Sequence, residues 1–296
     1  MSVNSVAVKE TPGTPASRGE STRVTDRPLV TIEAGRGIGV NLREVWAFRE
    51  LLYFLTWRDV KVRYKQTLLG AAWVVLQPLL ATAVFVLLFG RVIGVSSEGV
   101  PYALFAYAGL APWTFFSSAL TGSSNSIVGN SNLIAKVYFP RVIIPAGAIC
   151  ARLVDFAIAL MILAVLLVYY RVSLSPGMLM FPVLVAMTVL LVLGAGLLLS
   201  ALNVRYRDVA ALMPFLTQMW MFASPIIYPA SIFPARWRWV LILNPLTGII
   251  EGYRSALFGK SFDWQALGAS AAITLVLLFV SAYAFRRMER RFADIV

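Results

Sequence analysis

The sequence predicts an all-α integral membrane protein: six transmembrane helices, an amphipathic helix before the first, and two short re-entrant helices between the fifth and the sixth. Three observations carry that prediction. Of 296 residues 59% are apolar, with a mean hydropathy of +0.77, more apolar surface than one soluble core can bury. The apolar residues gather in runs near ~20, the length that carries a helix across ~30 Å of hydrocarbon. The basic residues stand beside those runs, so the net charge of +12 matches the Lys and Arg excess of cytoplasmic loops and does not point to nucleic acid.

Residues 1–41 are rich in Ser, Thr, Pro, Gly and Arg and lack an apolar stretch of signal-peptide length. They are expected to form a disordered cytoplasmic tail. Over 42–66 the pattern becomes helical: Val45, Phe48, Leu52 and Leu55 share a face, with Arg43 and Glu50 opposite. Trp46, Tyr53 and Trp57 suit the headgroup level, and Arg58, Lys61, Arg63 and Lys65 close a basic end. This predicts a helix lying in the membrane interface.

Residues 67–290 form the six-span domain, with spans near 70–90, 103–121, 143–169, 178–201, 210–229 and 266–285, and 291–296 form a short cytoplasmic tail. An even count puts both termini on one side. Taking that side as cytoplasmic places Arg58, Lys61, Arg63, Lys65, Lys136, Arg141, Arg205, Arg207, Arg286, Arg287, Arg290 and Arg291 inside. Only Arg91, Arg171, Arg236, Arg238, Arg254 and Lys260 fall outside, which sets the orientation.

Two inner connections stand out. "NVRYRDV" joins spans four and five; membrane anchoring explains Arg205 and Arg207 but does not require Tyr206 or Asp208. Anchoring and docking of a charged partner both remain open there. The loop from Gly122 to Arg141 begins small and polar, then carries Leu133, Ile134, Val137, Tyr138 and Phe139 before Pro140. Apolar and aromatic residues in a water-facing loop either return to the interface or pack on a partner.

The outer segment from Pro229 to Lys260 holds two apolar pieces, Trp237 to Leu243 and Leu246 to Phe258, each too short to cross. Asn244-Pro245 separates them, because proline disfavours a helical residue before it. Two short helices dipping into the outer leaflet are expected, a candidate gate or pore mouth containing Trp237, Trp239, Asn244, Pro245 and Arg254. Glu251 and Arg254, three apart, read as an ion pair ahead of a substrate contact. "GKS" at Gly259 to Ser261 is not a phosphate-binding loop, since Arg254 stands where that motif needs glycine.

Within the spans, Arg152 and Asp155 are spaced to neutralise each other about 16 Å of helix beyond Arg141. They read as a structural pair holding helices together ahead of a contact to an anionic substrate. The aromatic residues Phe85, Phe89, Trp113, Phe115, Phe116, Trp220, Phe222 and Tyr228 cluster toward the outer halves of spans one, two and five. Most are expected in the interfacial belt, and those facing a path could stack on sugars. "GAG" at Gly194 to Gly196 predicts close helix contact.

Several classes are excluded or disfavoured. With one cysteine and no histidine, disulfide frameworks, Cys/His metal sites and imidazole bases are absent. Cys150 in its apolar run is expected to be an inert packing residue. No series of intramembrane acids supports proton-coupled transport. The 14 acidic residues form no cluster for an enzyme acting on polyprenyl-linked sugars or for a metal.

The blocks "WRDVKVRYKQTLLGAAWVVLQPLL", "IAKVYFPRVIIP", "LNVRYRDV", "SPIIYP" and "LNPLTGIIEGYRSALFG" occur in that order. Together they resemble the permease subunits of bacterial ABC exporters for polysaccharides and polyol phosphates, those of O-antigen, teichoic acid and capsule, over about residues 42–290. The tail before Leu42 lies outside the resemblance. The resemblance implies a homodimer in the bacterial cytoplasmic membrane, with two copies of a separate ATPase that binds ATP and Mg, and a lipid-linked glycan threaded outward between protomers. This chain itself would hold no cofactor and would not be an enzyme. By similarity, Lys136, Tyr138, Phe139 and Arg141 in one loop and Arg205, Tyr206, Arg207 and Asp208 in the other are ATPase-coupling residues. Arg58, Lys61, Arg63 and Tyr64 belong to the interface helix, and Pro229 to Lys260 to the outer gate. A permease for small hydrophobic compounds is the nearest alternative.

Overall fold

The computed structural model describes residues 42–65, 72–173 and 175–289. The predicted tails and the beginning of the first predicted span lie outside the described residues. Helices α1 (Leu42–Ala47) and α2 (Arg49–Lys65) occupy the predicted interface-helix region. Leu55 is buried, with Val45, Phe48 and Leu52 packed beside it, while Trp46, Tyr53, Phe54 and Trp57 are exposed. The predicted apolar face is the packed one, and the aromatic residues form a second, outward face.

Helix α3 (Ala72–Phe85) continues as a π-helical stretch, Val86–Val92. Helices α4 (Tyr102–Gly129), α5 (Ser131–Lys136), α6 (Ile143–Tyr169), α7 (Phe181–Arg205), α8 (Asp208–Ala223), α9 (Arg238–Ile242), α10 (Pro245–Phe258) and α11 (Trp264–Glu289) are the other α-helices among the described residues. Among the described residues there is no strand, and 5 helical segments are long and apolar enough to cross a membrane: Ala72–Val92, Tyr102–Gly129, Ile143–Tyr169, Pro176–Arg205 and Trp264–Glu289. The protein is a multi-pass membrane protein.

The predicted fifth span, 210–229, differs from what forms. Helix α8 has 16 residues, about 24 Å at 1.5 Å per residue, and ends at Ala223. Ser224 precedes Pro225 and takes ψ 146, the extended conformation that a following proline imposes. Residues Ser224 to Ile227 then run buried and non-helical.

The predicted inner loop also differs, because α4 extends through "TGSSNSIVG" to Gly129. Two of its hydroxyls bond back onto the helix: Ser124 Oγ donates to Thr121 O at 2.9 Å and Ser126 Oγ to Ser123 O at 2.7 Å. Neighbouring α7 seals the polar stretch, with Asn203 Nδ2 donating to Ser124 O at 3.0 Å and to Asn125 Oδ1 at 3.1 Å.

Helix α4 is the axis of the bundle, packed against α3, α6, α7, α8 and α10. Helix α7 fits between α4 and α11 through the predicted small residues. A methyl at Gly194 would lie 3.1 Å from the Leu278 backbone, and one at Gly196 2.5 Å from Ser123 Oγ. Two apolar cores result. The larger joins α4, α6, α7 and α10, and the smaller gathers Leu55, Ile127, Phe139, Val142, Leu197, Val204 and Phe285 at the end where α2, α5 and the C-terminal turn of α11 meet.

Candidate functional site

The residues singled out in the sequence fall in three places. The first is the surface around α5 and the α7–α8 turn. Lys136, Tyr138, Arg205, Tyr206, Arg207 and Asp208 are all exposed, and Arg205 lies over the Tyr206 ring at 5.2 Å. Phe139 is 4% exposed and belongs to the smaller core. Arg141 is fixed to α11: its backbone N–H donates to Glu289 Oε1 at 3.0 Å and its guanidinium to the Glu289 carbonyl. Phe139 and Arg141 therefore anchor the surface that Lys136 and Tyr138 present.

The second place is the outer segment. Asn244 caps α10, its Oδ1 accepting from Leu246 N at 3.1 Å and Pro245 supplying the preset first helical turn. The same oxygen accepts from Trp220 Nε1 at 3.0 Å, and its Nδ2 donates to Ser224 Oγ at 2.8 Å. Gly259 ends α10 at φ 67, a left-handed position where glycine is unstrained. From Pro245 to Leu257 every residue of α10 except Glu251 is buried.

Arg254 is 2% exposed. Its Nη1 donates to Pro225 O at 2.7 Å and Glu251 Oε1 at 2.9 Å, its Nη2 to Ile226 O at 2.7 Å, and its guanidinium carbon lies 3.6 Å from the centre of the Phe105 ring. The predicted ion pair exists, and the arginine also satisfies carbonyls released where α8 stops short. A methyl on Gly109 would lie 2.8 Å from Ile226 O and 2.9 Å from Arg254 Nη2, so α4 approaches closely only as glycine. Above this, Lys260 Nζ donates to Glu98 Oε2 at 2.6 Å. That ammonium hydrogen bond holds the Glu98 carboxyl below its ordinary range.

The aromatic gate candidates separate by exposure. Trp113, Phe115 and Phe116 are buried, Phe85, Phe89, Trp220 and Tyr228 half-buried, and Phe222, Trp237 and Trp239 exposed. Phe115 stacks on Phe156 at 4.7 Å, and Phe116 meets Trp220 edge-on at 5.0 Å.

The third place is within the bundle. Arg152 Nη1 lies 3.6 Å from Asp155 Oδ2, yet the closer partners of Asp155 come from α2: the Arg63 guanidinium and the Tyr64 hydroxyl, both donating to its carboxylate. Burial and this hydrogen bond push the Tyr64 phenol up to about 12, so it remains a donor. Sequence spacing exposed the pair within α6 but not the two partners on α2. Arg58 pairs with Asp59 at 2.8 Å and Lys61 lies over Trp57 at 5.3 Å.

The described residues thus form a multi-pass bundle with an exposed charged turn between α7 and α8 and one short buried helix, α10. Residues 50–258 match the ABC-2 type transporter family, and the chain belongs to it. It is 32% identical over 257 residues to the O-antigen export system permease protein RfbA of Myxococcus xanthus, covering 86% of this chain and 98% of that protein. The RfbA permease of Klebsiella pneumoniae is 27% identical, covering 83% and 95%. The polysialic acid transport protein KpsM of Escherichia coli is 24% identical, covering 78% and 91%.

Proposed function

We propose that this chain is the permease of an ATP-driven exporter that moves a lipid-linked polysaccharide of the O-antigen or capsule kind across the bacterial inner membrane. The observation that carries this reading is the match to an O-antigen export permease over 98% of that protein's length. In this reading both termini are cytoplasmic and six crossings occur, the fifth made by α8 with the buried Ser224–Ile227 stretch completing its depth. Two copies pair, the glycan passes between them, and each receives one separate ATPase.

The ATPase seats on Lys136, Tyr138 and the Arg205–Asp208 turn. Exposed charges cost little until a partner covers them, so they suit reversible docking. Force enters where α5 and the α7–α8 turn connect directly to α4, α6, α7 and α8. Helices α9 and α10, held by Asn244 and Arg254, form the outer gate, and Trp237 and Trp239 line its rim. The helix α1–α2 lies in the interface with its aromatic face toward headgroups.

Native mass spectrometry of the tagged protein, gently purified from its host, tests this reading. Two permeases with two ATPases are expected. A permease with no ATPase after mild crosslinking would contradict it.

A further inference from the structure

A cavity of about 470 Å³ lies between α2, α3, α4, α6 and α8, within the size range of small-ligand sites. Its three walls differ in chemistry. One carries Arg63, Tyr64, Arg152 and Asp155, and among the described residues no other charged residue lines the cavity. Two half-buried guanidinium groups against one carboxylate leave a net positive charge on this wall within the helical bundle, which favours an anionic group.

The second wall is a row on α4: Thr114, Ser117, Ser118 and Thr121, spaced three and four apart on one helix face. Ser117 Oγ donates to Thr114 O at 3.3 Å, Ser118 Oγ to Phe115 O at 3.2 Å, and Thr121 Oγ1 to Ser117 O at 2.9 Å. Thr217 on α8 likewise donates to Met213 O at 2.9 Å. With their protons turned to the helix backbone, these hydroxyls offer lone pairs to the cavity, suited to O–H donors rather than to an anion. The third wall is apolar: Trp73, Val74, Pro78 and Phe156.

We propose that this cavity binds the phosphate end of an amphiphile, with Arg152 and Arg63 on the phosphate, the α4 hydroxyl row on attached hydroxyls, and the apolar wall on the chain. The identity of that amphiphile as the phosphate-linked lipid end of the exported glycan rests on the exporter reading. Asp155 is then an internal competitor: it occupies Arg63 when the site is empty, and an arriving phosphate takes Arg63 from it. Binding would thereby loosen the hold of α6 on the basic end of α2.

The test uses the full chain in phosphatidylcholine nanodiscs with farnesyl diphosphate as probe, titrated by native mass spectrometry. Farnesol, inorganic pyrophosphate and phosphatidylglycerol serve as the comparison ligands. Farnesyl diphosphate is expected to bind, with each comparison ligand at least about tenfold weaker. Arg152→Gln should weaken the probe about tenfold, the size of a charge-assisted contact to phosphate. Asp155→Asn should tighten it about threefold, a gain that a purely structural ion cluster would not give. If Arg152→Gln does not purify as a monodisperse protein, Arg63→Gln removes the same charge from the same wall.

No binding of the probe, equal binding of farnesol, or equal weakening by Asp155→Asn and Arg152→Gln would overturn the site. Equal binding of pyrophosphate would mean a plain anion site, and equal binding of phosphatidylglycerol an ordinary lipid site; either overturns the assignment. Lost probe binding with the ATPase still attached defeats this site alone. Retained probe binding without an ATPase partner defeats the exporter reading alone.

Discussion

Around Arg254, three backbone carbonyls, one carboxylate and one aromatic ring close on a guanidinium that is 2% exposed. Around Arg205 and Arg207 the chain does the opposite, leaving both arginines, Tyr206 and Asp208 exposed. The same residue type thus serves two purposes. Buried and fully surrounded, an arginine closes a break in the backbone that the membrane would not tolerate. Exposed on a short turn, it contributes little to stability and remains available to a partner.

Substitutions should separate the two regions in a graded way. Arg254→Met strands the buried Pro225 and Ile226 carbonyls and takes its ion-pair partner from the half-buried Glu251. It should cost about 2–6 kcal/mol, the penalty for two unsatisfied buried acceptors, and abolish a cooperative melt followed by tryptophan fluorescence. Gly109→Ala forces its methyl into Ile226 O and Arg254 Nη2, an overpacking cost of about 1–3 kcal/mol, read as a lowered melting temperature in the same assay.

Glu98→Gln should cost at most about 1 kcal/mol at neutral pH, as for an exposed pair. The Glu98 carboxyl is held below its ordinary range by Lys260, so its contribution is present above the unfolded value of about 4.3 and fades as pH falls through the lowered folded value. The gap between wild type and Glu98→Gln in melting temperature should accordingly close in acid. Asp208→Lys should change stability by no more than about 0.5 kcal/mol, yet uncouple ATP hydrolysis from export. Unchanged export in that variant would remove Asp208 from the docking surface.

Parts of this architecture were legible from local rules. Asn244-Pro245 announced the break before α10 because proline constrains its predecessor, and Glu251 and Arg254 lie three apart on one helix. The two arginines and Asp208 between apolar runs marked an exposed turn. The same proline rule applied at Ser224-Pro225, but the apolar run on either side concealed the end of α8. The inner half of α4 was hidden because "GSSNSIVG" has loop composition, and only packing against Gly196 and Asn203 makes it helical. Arg63 and Tyr64 lie 92 and 91 residues from Asp155, a separation at which periodicity carries no information. The carbonyl partners of Arg254 were equally out of reach, since the backbone carries no sequence signal.

The contrast between the two regions can be measured directly by placing a photocrosslinking amino acid at Tyr206 and, separately, at Trp239, each exposed, in cells making the complete exporter. Tyr206 is expected to capture the ATPase subunit, and Trp239 is not. Capture of the ATPase from Trp239, or from neither position, would contradict the assignment of the Arg205–Asp208 turn as the surface through which ATP hydrolysis drives export.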